Sequence, residues 1–397
     1  MIRQKWACAW FCVFLCFINV SIISATPVYG ATTRKASTLK PSAKNVSAKK
    51  PVAKPTVLAS GPSVSAASAV LMDVKTGDIL YGKQAETRRP PASTTKIMTG
   101  ILGLELGRPD EVVTVSEKAA AVGEATLHLD PGEKIILYEL ITGALVRSGN
   151  DACVAIAEHI AGSEKQFVNL MNKKALALGA QNTNFVNTNG LPLKEHYTTA
   201  KDLALMARHG LLLPQFAGIT RQKTTSIHFL EPDVFMDLKN TNKLLSNYPY
   251  ANGVKTGTTT AAGKCLVASA TKEGRQLLAV VLNAPDRFGD AQKLLEWGFE
   301  KTETVTLVEV GQAVGEFPSE KKSIKAFIEN PIEVSIAKAE RGKLQTRVLW
   351  EKSAKMPVRA GERLGHLEVW LGDKKLNSVP LFSENEVKAE PLSALFK

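Results

Sequence analysis

The sequence has no H-E-x-x-H signature, no Cys/His cluster at metal-ligand spacing and no G-x-S-x-G elbow, and its six histidines are scattered. These absences remove zinc-dependent hydrolysis and the nucleophile-elbow hydrolases, and no metal or organic cofactor is implied. Cysteine is scarce as well. Cys8, Cys12 and Cys16 lie in an apolar leader, which leaves Cys153 and Cys265. One pair is no disulfide framework; the two are either bridged in an exported chain or buried as free thiols. Acidic residues are absent from the first sixty positions, where nine of the basic residues sit (Arg3, Lys5, Arg34, Lys35, Lys40, Lys44, Lys49, Lys50 and Lys54). Nine of the formal +12 therefore belong to that stretch, and residues 61–397 carry only +3. A charge so distributed excludes nucleic acid as a partner.

Arg3 and Lys5 precede an unbroken apolar run from Trp6 to Ile18, followed by Ser21, Ser24, Ala25, Gly30 and Ala31. A positive start, a short apolar core and a small-residue exit predict a secretory leader over residues 1–30, cleaved after Ala25 or after Gly30. An uncleaved anchor is the alternative, but a span needs about 20 apolar residues. Leu15 is too bulky for the position before a lipid-modified Cys16. Either way the chain is exported to an extracytoplasmic location, periplasm or cell surface. Residues 31–60, rich in Lys, Ala, Pro, Ser and Thr, cannot bury a core and form a basic linker. Its charge gives it a weak attraction to an anionic membrane or wall surface.

Order begins near Val64. Two strands joined by a turn at Thr76-Gly77 lead to Pro90-Pro91, and a helix is expected over 93–102, since proline is tolerated at a first turn. Helices are expected over 137–146, 151–160, 165–178 and 199–210, with strands over 253–257, 265–270 and 277–282 and a last helix over 290–297. From about Thr302 short alternating runs separated by Gly, Pro and Lys turns predict a small all-β domain. The chain thus divides into a leader (1–30), a linker (31–60), a catalytic domain (61–300) and a β-rich domain (301–397).

Ser93-x-x-Lys96 sets a hydroxyl and an amine on one face of a helix. A serine hydroxyl is a weak nucleophile until a base takes its proton, and lysine is that base once burial and a neighbouring cation lower its pKa. The helix start adds free N–H groups that hold an oxyanion near Ser93. Ser37/Lys40, Ser47/Lys50 and Ser319/Lys322 share the spacing but lie in the linker or a charged turn. Ser148-Gly149-Asn150 occupies a tight connection between two helices; alone it reads as a helix N-cap, and Ser383-x-Asn385 is a chance copy. Lys255-Thr256-Gly257 lies in an apolar strand where glycine permits close approach of a backbone or ligand, whereas Lys75-Thr76-Gly77 sits at a hairpin turn.

Taken together, these motifs occur in the order Ser93, Ser148, Lys255 on helix, loop and strand. They resemble the penicillin-binding proteins and class A β-lactamases, in which S-x-x-K, S-D-N and K-T-G recur. With Gly149 in the second motif, the chain is similar to the low-molecular-mass penicillin-binding proteins, serine D-alanyl-D-alanine carboxypeptidases. Pro91-Ala92-Ser93, Asn189-Gly190-Leu191, Thr198-Thr199-Ala200-x-Asp202 and Gly253-x-Lys255-Thr256-Gly257-x-Thr259 extend the likeness from Val64 to the C-terminus.

The resemblance implies a mixed α/β (α+β) fold, a helical cluster packed on an antiparallel sheet with the cleft between them. It implies that Ser93 attacks the carbonyl between the terminal D-alanines of a peptidoglycan stem peptide and that Lys96 takes its proton. Ser148 and Lys255 would relay a proton to the leaving D-alanine. Asn150 would hold the substrate amide, and Thr256 with Arg287 the terminal carboxylate. The N–H groups of Ser93 and Thr258 would form the oxyanion hole. β-Lactam antibiotics would be covalent inhibitors at Ser93. Relatives often end in an amphipathic membrane helix, which Leu392–Lys397 is too short to form, so peripheral membrane contact would fall to the leader or linker. A β-lactamase of the same fold is the alternative, but the Glu-x-x-Leu-Asn stretch that class A needs is absent. A non-catalytic wall-binding protein would tolerate damaged motifs, and all three are intact.

Overall fold

Two strands open the described chain, β1 (Ser68–Asp73) and β2 (Ile79–Lys83), joined by a turn in which Gly77 takes φ +79°. The structure is a computed structural model and describes residues 61–317, 324–351 and 357–387. The predicted leader and linker, the Ser319/Lys322 pair and residues 388–397 lie outside the described residues.

A 3-10 turn, Ala92–Thr95, runs into α1 (Lys96–Leu106). The short β3 (Val112–Thr114), α2 (Glu117–Ala120) and β4 (Lys134–Ile136) lead to the rest of the helical cluster. That cluster adds α3 (Leu137–Val146), α4 (Asn150–Ala161), α5 (Glu164–Ala177), α6 (Ala200–Leu211) and α7 (Pro214–Thr220). A hairpin of β5 (Thr224–Glu231) and β6 (Val234–Lys239) and a single turn, α8 (Leu244–Asn247), precede β7 (Ala251–Thr259), β8 (Gly263–Lys272) and β9 (Arg275–Leu282). The last helix of this half is α9 (Arg287–Lys301).

The main sheet is antiparallel, in the order β2-β1-β9-β8-β7. Residues 277–282 of its central strand β9 are apolar without interruption because both faces are covered there. Leu278, Val280 and Leu282 join the core under the helical cluster, while Leu277, Ala279 and Val281 join the core under α9. Period-two geometry thus divides one apolar run between two cores. The expected helical cluster on an antiparallel sheet is what the chain forms. A second antiparallel sheet, β3-β4-β5-β6, was not foreseen. Its first two strands have three residues each, and β5 alternates only weakly, so little periodicity marks them.

Residues from 302 onward form β10 (Thr302–Val308), β11 (Gly315–Phe317), β12 (Ile324–Phe327), β13 (Ile332–Ala337), β14 (Leu344–Trp350), β15 (Arg363–Leu371) and β16 (Lys374–Ser383). β10 pairs with β13, and the others form a sheet in the order β11-β12-β16-β15-β14 around their own core of Ile324, Val334, Leu367 and Val369.

The Lys75-Thr76-Gly77 copy is the β1–β2 turn, and it meets the β10–β13 ribbon. Asp73 is fully buried and accepts bonds from Arg275 Nε, Thr304 Oγ1 and the Lys75 N–H, each at 2.9 Å. Asp78 accepts the Ser335 N–H at 2.7 Å, and Lys75 pairs with Glu333 at 2.6 Å. Replacing Asp73 with Ala strands the Arg275 guanidinium, and the expected loss in a urea unfolding curve is about 3 kcal/mol.

Candidate active site

Ser93 lies in the 3-10 turn, not in the α-helix expected there; α1 begins at Lys96. The reason is local. Thr94 Oγ1 donates to the Pro91 carbonyl (2.7 Å) and Thr95 Oγ1 to the Ala92 carbonyl (2.9 Å), tightening the turn. Ala92 takes φ +50°, a left-handed conformation that a residue with a Cβ rarely adopts.

Two glycines allow other segments to close on this turn. A Cβ on Gly257 would sit 2.9 Å from the Ser93 nitrogen, and one on Gly190 would sit 1.9 Å from the Ala92 carbonyl oxygen. The close approach expected at Gly257 is therefore to the backbone of the serine turn itself. Gly190 also has φ +93°. Gly190→Ala meets both a backbone clash and a strained φ. It should displace the Asn189 carbonyl from Lys96 and cut acylation about 100-fold, measured as the rate of penicillin adduct formation.

Lys96 is fully buried. Its Nζ donates to Ser93 Oγ at 3.0 Å, to Asn150 Oδ1 at 2.7 Å and to the Asn189 carbonyl at 2.7 Å. Burial pulls its pKa down to about 8, against the opposing fields of Cys153, Asp151 and Glu124. Every acceptor in contact is neutral, so no carboxylate pairs with the ammonium at hydrogen-bond distance. Lys255, on β7, is also buried, and its pKa lies well below the ordinary lysine value through burial first and the Lys96 and Arg287 cations next. Its Nζ donates to the Thr256 carbonyl at 3.2 Å; among the described residues no hydrogen bond joins it to Ser148.

Ser148 sits between α3 and α4 with φ +77° and 6% exposure. Its backbone N–H donates to the Gly143 carbonyl at 3.1 Å, so the turn closes α3. It is not a side-chain cap of α4, whose N-cap residue is Gly149. Asn150 receives Lys96 on Oδ1 and donates through Nδ2 to the Gly123 carbonyl at 2.8 Å. One lone pair and one amide proton remain for a ligand. Behind it the Asp151 carboxylate accepts the N–H groups of Leu127, Leu129 and Ala152, which fixes the 123–129 loop over the motif.

Thr256 shares a 2.6 Å hydrogen bond with Thr241 Oγ1, and Arg287 donates through Nη1 to Thr258 Oγ1 (2.7 Å) and the Gly257 carbonyl (2.9 Å). Arg287 thus faces the strand that carries Thr256 and Thr258. Cys153 and Cys265 are both free and buried, and burial pushes the Cys153 thiol up to about 12. Motif reading missed Thr241, the Gly123 and Asn189 carbonyls and the conformation of Ala92. Backbone acceptors carry no residue-type signal, and a loop threonine has many equals in the sequence.

Residues 55–286 match the family described as D-alanyl-D-alanine carboxypeptidase (peptidase S11), and residues 303–389 match the penicillin-binding protein 5 C-terminal domain. Among curated relatives, D-alanyl-D-alanine carboxypeptidase DacF of Bacillus subtilis is 37% identical over 338 residues, 81% of this chain and 86% of its own. D-alanyl-D-alanine carboxypeptidase DacD of Escherichia coli is 34% identical over 348 residues, 82% of this chain and 88% of its own. The solved structure of penicillin binding protein 5 from Haemophilus influenzae superposes with a TM-score of 0.74 at 32% identity, covering 83% of this chain and 99% of that one. With the serine, the lysines and the Ser-Gly-Asn turn brought together, the chain belongs to the D-alanyl-D-alanine carboxypeptidase family of low-molecular-mass penicillin-binding proteins.

Proposed function

We propose that Ser93 is the nucleophile of a D-alanyl-D-alanine carboxypeptidase acting on peptidoglycan stem peptides. The observation that carries this reading is the 3.0 Å contact of Ser93 Oγ with a buried lysine whose pKa is about 8. Ser93 Oγ bonds to the carbonyl carbon of the penultimate D-alanine while its proton passes to Lys96. The tetrahedral oxyanion is held by the N–H groups of Ser93 and Thr258. Its collapse breaks the C–N bond, and a proton relayed by Ser148 with Lys255 leaves with the terminal D-alanine. Water then cleaves the ester and restores the serine. Asn150 offers its remaining valences to the substrate amide. Thr256 and Arg287 receive the terminal carboxylate.

The same attack opens a β-lactam, and the resulting ester persists when water reaches it slowly. Export follows from the leader-like residues 1–30, and wall or membrane proximity from the basic linker. In this reading residues 61–300 are the catalytic domain and residues 301–397 a spacer or docking module. The purified protein should release D-alanine from an N-acylated peptide ending in D-Ala-D-Ala and form a one-to-one adduct with benzylpenicillin, read by intact mass. Rapid penicillin hydrolysis without an adduct would assign it to the β-lactamases. Neither reaction would leave a wall-binding protein.

A further inference from the structure

A pocket of about 250 Å³ opens one residue beyond the serine turn. Pro90, Pro91 and Gly190 form the wall it shares with that turn, and Thr259 and Ala261 form the wall it shares with the end of β7. Leu191, Pro192 and Leu193 close the third side, and Leu193 is 53% exposed at the rim. Whole-ligand sites occupy about 300–1,000 Å³, so this volume suits one side chain of a larger ligand.

The direction of the substrate places that side chain. On the proposed reading the terminal carboxylate meets Thr256 and Arg287, and the scissile carbonyl meets Ser93 and Thr258. The peptide therefore runs along β7 toward Thr259 as it is followed away from its C-terminus. A residue in an extended strand advances about 3.4 Å. The residue before the two D-alanines thus arrives beside Thr259 and Ala261, at the mouth of the pocket.

Charge at the pocket is one-sided. His196 lines it, but its ring is committed to Thr95 Oγ1 (2.9 Å) and the Val186 N–H (3.0 Å), and burial pulls its pKa down to about 4. Lys194 is the other ionisable group of the lining, is exposed, and makes no ion pair among the described residues. No carboxylate lines the pocket. We infer that this pocket binds the aliphatic side chain of the residue preceding D-Ala-D-Ala, and that Lys194 selects side chains ending in a carboxylate over those ending in an amine. The inference rests on the proposed carboxypeptidase reading and adds its substrate preference.

The test compares two Nα-acetyl tripeptides ending in D-Ala-D-Ala, one beginning with lysine and one with aminopimelic acid, whose side chain ends in a carboxylate. The full exported chain should cleave the aminopimelyl peptide with a kcat/KM about five-fold higher at low salt, the size of a favourable exposed ion pair. Lys194→Met should bring the ratio near one. Lys194→Glu should reverse it, about ten-fold from the wild-type value, and added salt should flatten every ratio. Ala261→Phe, which fills the pocket mouth, should raise KM for both peptides with a smaller change in kcat. A ratio unchanged across the Lys194 variants, or a KM untouched by Ala261→Phe, overturns the inference. Benzylpenicillin adduct formation by the wild-type protein is read in parallel. If it fails along with cleavage of both peptides, the carboxypeptidase reading falls and takes this inference with it; if it succeeds while the ratios stay flat, only the pocket assignment falls.

Discussion

Ser93→Ala should abolish the penicillin adduct and lower D-alanine release by about 10⁴–10⁶-fold. The serine oxygen supplies the only electron pair that the neighbouring lysine is placed to activate, with Nζ at 3.0 Å. Removing it leaves the oxyanion donors and the carboxylate contacts, so substrate still binds but the covalent route is gone. Ser93 is half-buried at the end of a turn held by Thr94 and Thr95, so deleting one hydroxyl leaves the fold intact. The decisive pairing is intact mass after brief penicillin exposure beside a thermal melt. An adduct on a well-folded Ser93→Ala protein would place the nucleophile elsewhere.

Lys96→Arg should cost about 10³–10⁴-fold in acylation, because a guanidinium stays protonated at any working pH and cannot accept the serine proton. In the wild-type protein the same requirement gives an acid limb. Lys96 acts as a base only when neutral, so the acylation rate should rise about ten-fold per pH unit below pH 8 and flatten above it, where its pKa lies. Stability carries a matching signature. An unfolded lysine titrates near 10.5 and the folded one near 8, so below about pH 8 both states are charged and the folded state bears the full desolvation cost. That cost is relieved as pH rises from about 8 to 10.5. Wild-type stability should therefore gain on Lys96→Met across that window, as compared by urea unfolding at each pH. A flat acylation profile from pH 6 to 9 would remove Lys96 as the base.

Much of the scaffold was readable before any coordinates. The helices over 137–146 and 151–160 appear as α3 and α4, and the apolar run at 277–282 as the core of β9. These are elements whose own periodicity or length signals burial. The sheet of β3 to β6 was not readable. β3 and β4, three residues each, pair with one another, and only β4 joins them to β5, about a hundred positions away, a partner not written into their residues. Of the second domain's strands, β10, β13, β14 and β15 were legible, but not β11, β12 and β16, nor the docking of the Lys75–Gly77 turn onto the β10–β13 ribbon. That contact depends on Asp73, Arg275 and Thr304 meeting across more than two hundred positions.

The site divides along the same line. Sequence alone determined that a hydroxyl and an amine three residues apart would meet, that Gly257 would admit a close neighbour, and that the three motifs belong to one chemistry. Local spacing and residue type suffice for the first two, because one turn of chain brings the hydroxyl and the amine together; the third rests on the resemblance to a known family, since the motifs lie far apart in the chain. The chemical state of the lysines was decided only in three dimensions. Burial beneath the surrounding core pulls the Lys96 amine down to about 8, Asn150 and Asn189 hold it in place, and Lys255 lies nearby as a second buried amine. The left-handed Ala92 and Ser148 are likewise held by packing against distant segments. Desolvation and backbone strain are properties of a neighbourhood assembled from long-range contacts, and no window of sequence contains that neighbourhood.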